Sequence, residues 1–140
     1  AGDAAILKKF LLYRTYHGCA MAPPVQLAST AAWNDEAHVL DNRNQYREKF
    51  AACTPLIGEV LGTRMPDASF YLWARTPVTD TEFARGLLEH YNVVVLPGSF
   101  LAREVKDINP GANFVRIALV ASAAECLDAA SRIRRFAQQL

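Results

Sequence analysis

The sequence has few cysteines and none of several motifs that mark common enzyme classes. Its three cysteines, Cys19, Cys53 and Cys126, are odd in number, widely spaced and form no C-x-x-C pair. That argues against a zinc site or a disulfide framework and fits a reducing, cytoplasmic setting. There is no G-x-G-x-x-G, no G-x-x-x-x-G-K-[ST] and no H-E-x-x-H, so dinucleotide, P-loop and zincin chemistries lack their fingerprints. Fifteen basic against fourteen acidic residues leave a formal charge of +1, too little to mark a nucleic-acid or anionic-membrane partner. No apolar run is long enough to span a bilayer, and the N-terminus lacks the basic-then-apolar order of a signal peptide. An initiator methionine is also missing, and "AGDAAILKKF" reads as a start in mid-sequence, hence as a piece of a longer protein.

What is present is globular: 51% hydrophobic against 21% charged residues is far from the composition of disorder. Asp3 can cap a first helix in which Ile6, Leu7, Phe10 and Leu11 recur at helical spacing up to Gly18. Pro23 and Pro24 can open a second helix, since proline is tolerated in a first turn. Asn34 and Asp35 are cap candidates for a long third helix reaching Leu61, which Pro55 is expected to kink or split near Cys53. "ASFYLWAR" (68–75) is an aromatic strand, and Thr79 with Glu82 forms a capping box ahead of a helix carrying Phe83, Leu87, Leu88 and Tyr91. "NVVVLPG" (92–98) reads as a second, well-buried strand and 114–120 as a third. Ser122 and Glu125 box a last helix whose Leu127, Ala130, Ile133 and Phe136 face a core. The expected class is α/β, with an α+β C-terminal domain of helices and a short three-stranded sheet. The expected boundary lies near Pro55, giving 1–55 and 56–140.

Most polar candidates carry ordinary readings. His17 and Cys19 are two residues apart and do not share a helix face; His38 and His90 sit among charged neighbours as surface residues. Tyr71 and Trp73 share a strand face with Arg75, and "LPGSF" can be a strand ending in a turn. Arg116 is different. Alternation places it with Phe114, Ala118 and Val120, opposite Val115, Ile117 and Leu119, so neither face is polar and its guanidinium needs a partner. Three readings are open: a salt bridge to Glu104 or Asp107, an edge strand from which the side chain snorkels to water, or a clamp for a ligand carboxylate, which a planar fork of donors matches in two places.

Taken together, "YRTYHGCAMAPPVQLAS", "DASFYLWA", "NVVVLPGSFLARE" and "NPGANFVRIALV" resemble the C-terminal third of class I, fold-type I PLP-dependent aminotransferases. The likeness covers the whole chain and is greatest to the diaminopimelate branch. That branch moves an amino group between glutamate and N-succinyl-2-amino-6-oxopimelate in lysine biosynthesis. The resemblance implies that Arg116 binds the substrate α-carboxylate in the small domain. It implies that the loop holding His17, Gly18, Met21 and Ala22 approaches the cofactor of the other subunit of a homodimer, with His17 touching the distal substrate group. Pro97 and Gly98 match a turn beside the substrate channel. The family's Schiff-base lysine, in a Ser-x-Ser-Lys stretch, is expected upstream; Lys8 and Lys9 lack that context, and no metal is implied. This chain alone is therefore expected to hold no catalytic residue, to bind no PLP and to be inactive, with small amino and keto acids as substrates of the complete enzyme. The alternatives are another class I aminotransferase with a different substrate, or a non-catalytic α/β module in which Arg116 grips a carboxylate effector.

Overall fold

A computed structural model describes residues 2–18 and 20–140. The chain forms two compact units, divided between Val39 and Leu40.

The first unit holds two helices. In α1 (Ala4–Tyr16) the Asp3 carboxylate accepts from the N–H groups of Ala5 and Ile6 at 2.9 and 3.0 Å, as its cap position demands. Helix α2 (Pro23–Asn34) opens on its proline pair. Neither helix buries a residue: Phe10, Leu11 and Trp33 are 57%, 71% and 81% exposed. Asp35 then accepts from Ala37 N–H at 3.1 Å and starts α3 (Glu36–Gly58), which continues into the second unit. Pro55 lies inside α3 and does not split it, so of the kink or split expected there the split does not occur. It removes only the bond to the Ala51 carbonyl, and both residues lie on the exposed side, where water can satisfy that carbonyl.

The second unit is a sheet with helices on one face. Strands β1 (Tyr71–Arg75), β2 (Leu96–Pro97) and β3 (Phe114–Ala118) run antiparallel in the order β1-β3-β2. Leu72, Ala74, Val115 and Ile117 point from it into a core shared with α3, α4 (Asp80–Tyr91) and α5 (Ala123–Ala137). The capping box at Ser122 and Glu125 forms in full, while at Thr79 the hydroxyl caps α4 and bonds Glu82 without the return bond from the Thr79 N–H. Thr79 Oγ1 lies 2.6 Å from a Glu82 carboxylate oxygen, and Ser122 Oγ 2.6 Å from that of Glu125.

Three expectations need correction. The valine run before β2 is not a buried strand: Val94 is 80% exposed and only Leu96 and Pro97 pair. Leu127 does not face the core; on α5 the buried row is Cys126, Ala130, Ile133 and Phe136, the spacing that keeps one stripe inward. The Phe114, Arg116, Ala118 face of β3 is not dry either, because the helices cover only the opposite face, leaving Ala118 and Val120 exposed.

The buried thiols are chemically quiet. Burial pushes Cys53 up to about 11 and also raises Cys126, so both stay neutral near pH 7. Cys19 lies outside the described residues, and with it the His17 and Cys19 pairing. Among the described residues no His, Cys, Asp and Glu cluster could hold a metal ion. No helix there is long and apolar enough to cross a membrane.

Candidate functional site

The open face of the sheet gathers Tyr71, Trp73, Phe114 and Arg116. Register explains why: Trp73 lies directly across from Arg116, and Phe114 is its diagonal neighbour, so the two rings stack with centroids 5.6 Å apart and planes 12° from parallel. The Arg116 guanidinium carbon lies 5.7 Å from the centre of the Tyr71 ring. Since β3 is the middle strand, Arg116 has Trp73 on one side and Leu96 on the other and cannot snorkel from an edge.

No carboxylate reaches it. Glu104 and Asp107 are exposed around a tight hairpin closed by Val105 and Ile108, and neither pairs with Arg116, which makes no ion pair among the described residues. Its Nε is buried and has no hydrogen-bond partner among the described residues. A ring face offers charge attraction but no lone pair for that N–H, so the contact with Tyr71 leaves the guanidinium's donors unused. An open groove of about 940 Å³, lined by residues from Gly62 to Trp73 including Arg64, Asp67 and Ser69, adjoins the same aromatic edge.

The loop 98–113 that precedes β3 is held from beneath by Asp80, a residue that spacing did not single out. Asp80 is 4% exposed. One of its carboxylate oxygens accepts from Ser99 N–H at 2.9 Å and Ser99 Oγ at 2.5 Å, and the other from Asn113 N–H at 3.3 Å. Asn109 adds a bond from its side-chain amide to the Ser99 carbonyl at 3.0 Å. Between these ties the backbones of Gly98 and Gly111 touch. A Cβ on Gly98 would collide with the Gly111 carbonyl and come 2.7 Å from that of Phe114; one on Gly111 would collide with the Gly98 carbonyl. "LPGSF" and "NPGANF" are thus two halves of one crossing that only glycine allows.

Burial by itself would raise the Asp80 carboxyl, but the Ser99 hydroxyl and the Ser99 and Asn113 N–H groups outweigh it and hold the group below its ordinary value of 3.8. Its charged form therefore adds stability above that value, and this is lost as pH falls through the lower folded-state one. The expected result is an acid-unfolding curve, followed by circular dichroism, that falls less steeply below about pH 4 in Asp80→Asn than in the parent protein. Parallel curves would show that the carboxylate is not what holds the loop.

The sequence candidates His17, Gly18, Met21 and Ala22 lie in the first unit. His17 caps α1 and stacks on Tyr13, ring centroids 4.6 Å apart, and is exposed. Gly18 has φ +82, a conformation side chains disfavour. The Met21 carbonyl accepts from Gln26 Nε2 at 2.7 Å, and Ala22 is the cap of α2. His38 and His90 are exposed, the former 3.0 Å from Asp35.

The family model for aminotransferase class I and II matches residues 7–133. A probable aminotransferase of Mycobacterium tuberculosis is 32% identical over 133 residues, covering 94% of this chain and 30% of the relative. Among solved structures, an aminotransferase from Neisseria meningitidis is similar at TM-score 0.84 and 55% identity, over 95% of this chain and 34% of that one. A probable N-succinyldiaminopimelate aminotransferase from Thermus thermophilus is similar at TM-score 0.62 and 35% identity, over 76% and 28%. The chain spans about a third of the length of these relatives.

Proposed function

Because the chain belongs to the class I and II aminotransferase family, we propose that it is the C-terminal portion of a PLP-dependent transaminase and that Arg116 holds the α-carboxylate of its amino and keto acid substrates. One observation carries this: a guanidinium on the middle strand, backed by Tyr71, whose buried Nε lacks an acceptor. A carboxylate supplies two acceptor oxygens in the plane of that fork, which is the pairing arginine makes best. In this reading 1–55 is the tail of the large domain with the start of the interdomain helix, and 56–140 is the small domain. His17, Gly18, Met21 and Ala22 serve the cofactor-side loop of a cytoplasmic homodimer.

The described side chains do not by themselves fit PLP. Of the four lysines, Lys8 and Lys9 are exposed on α1 and Lys106 is exposed at the hairpin tip. Lys49 is buried, but it donates to the Leu119 carbonyl at 3.2 Å and lies over the Tyr46 ring. The cofactor's lysine and phosphate contacts belong, in this proposal, to a preceding segment, and this chain alone is inactive. Its own contribution is to bind and orient: Arg116 fixes one end of the substrate, while Trp73 and Phe114 keep water from one side of it.

For the substrate, we infer N-succinyl-2-amino-6-oxopimelate with glutamate as donor; the similarity to the probable N-succinyldiaminopimelate aminotransferase supports it. The test is the complete polypeptide, supplied with PLP and assayed for amino transfer to 2-oxoglutarate. The expected result is a cofactor absorbance band, and turnover of N-succinyl-LL-diaminopimelate well above that of LL-diaminopimelate or aromatic amino acids. Turnover confined to one of the latter would move the enzyme to another class I specificity. No cofactor band at saturating PLP would favour the non-catalytic module.

A further inference from the structure

The pairing that presents Arg116 is short. Strands β2 and β3 match only Leu96 with Arg116 and Pro97 with Val115, and proline gives no N–H to the ladder. The five-residue match of β1 with β3 sets the face on which Arg116 lies, but so short a match with β2 does little to hold the chain that leaves β2 and returns to β3 through the loop 98–113. Something outside the β2 and β3 pairing must hold that crossing.

We propose that Asp80 is a positioning residue for Arg116: its buried carboxylate ties Ser99, where the chain leaves β2, to Asn113, where it enters β3, and so holds steady the end of β3 from which Arg116 meets its ligand. The three bonds close the neck of the loop directly above the Gly98 and Gly111 contact. Asn113 is held by its N–H in a left-handed conformation, φ +62, and its carbonyl accepts from Thr76 N–H at 2.9 Å, which aligns β3 with the end of β1 as well. Asp80 is the first residue of α4, whose Phe83 and Leu87 are fully buried, so the carboxylate stands on the rigid part of the unit rather than on the loop it restrains. Each carboxylate oxygen faces donors only. An amide in its place turns an NH₂ toward either Ser99 or Asn113 and releases one side of the neck.

The proposal rests on the reading of Arg116 as the carboxylate holder, and the experiment separates the two. Binding of 2-oxoglutarate to the complete, PLP-loaded protein is measured by calorimetry for the parent, Arg116→Ala, Asp80→Asn, Ser99→Ala and Asn113→Gly. A residue needed only for folding lowers the Tm or the number of binding sites and leaves the Kd of the folded protein alone. A positioning residue raises the Kd. The expected rise is about ten- to a hundredfold in Asp80→Asn, less in Ser99→Ala, which keeps the Ser99 N–H bond, and none in Asn113→Gly, which keeps both the N–H and the left-handed backbone. Should Asp80→Asn fail to fold, Ser99→Ala decides. A parental Kd in Asp80→Asn and Ser99→Ala beside a weakened Arg116→Ala overturns the role of Asp80 alone. No binding by the parent, or a parental Kd in Arg116→Ala, overturns the reading of Arg116 and this proposal with it.

Discussion

Replacing Arg116 by alanine in the complete enzyme is expected to lower kcat/KM for amino-acid substrates by roughly thirtyfold to several thousandfold, the equivalent of about 2–5 kcal/mol for one partner of a desolvated charge pair. The upper part of that range applies because, among the described residues, no carboxylate pairs with Arg116 and because its Nε is already out of water. Much of the desolvation cost has been met in folding, so a substrate carboxylate gains the pairing with little further loss. Arg116→Lys is expected to recover only part of the loss. An ammonium keeps the charge but not the planar fork, and the Tyr71 ring that orients a guanidinium does not fix a tetrahedral group in the same plane. The measurement is kcat/KM at saturating cofactor with the cofactor band as control; an Arg116→Ala enzyme within threefold of the parent would remove the residue from the site.

How far the sequence alone revealed this depends on distance along the chain. The capping box of Ser122 with Glu125 and the Thr79 cap with its bond to Glu82 were readable because each closes within one helical turn. The alternation in β3 was readable too, but not which of its faces is covered: that is decided by α3, α4 and α5 all packing against Val115 and Ile117. Without that layer Arg116 looks like a buried charge in search of a protein partner; with it, Arg116 is a half-buried donor on an open face. Family resemblance reached the same residue by another route. The valine run at 93–95 misled because β-branched residues suit a pleated surface wherever one is available, and here no neighbouring strand takes them up. Asp80 was invisible for the plainest reason. Its partners are 19 and 33 residues away, joined only by the crossing of Gly98 with Gly111.

Phe83→Ala is expected to destabilise the protein by about 3–5 kcal/mol, the largest stability loss of any single truncation in α4. Phe83 is 0% exposed and meets Phe136 edge to face with centroids 5.2 Å apart. Phe136 is in turn fixed by Tyr91, 5.7 Å away, and by Gly86, where an added Cβ would come within 2.8 Å of the ring. The space left by a truncated Phe83 therefore cannot be filled by Phe136 swinging inward without leaving both contacts, and a cavity that cannot collapse keeps its full cost. Leu88→Ala on the same helix is the control: at 47% exposed it is expected to change stability by no more than about 0.5 kcal/mol. Urea unfolding of the two variants separates them, and equal midpoints would mean that α4 presents a different stripe to the core. The consequence reaches the site, because Phe83 lies one turn beyond Asp80 and anchors the helix end from which that carboxylate holds Ser99 and Asn113. Phe83→Ala at a temperature where it remains folded should then also loosen 2-oxoglutarate binding, in the order of the Asp80 series rather than of Leu88→Ala.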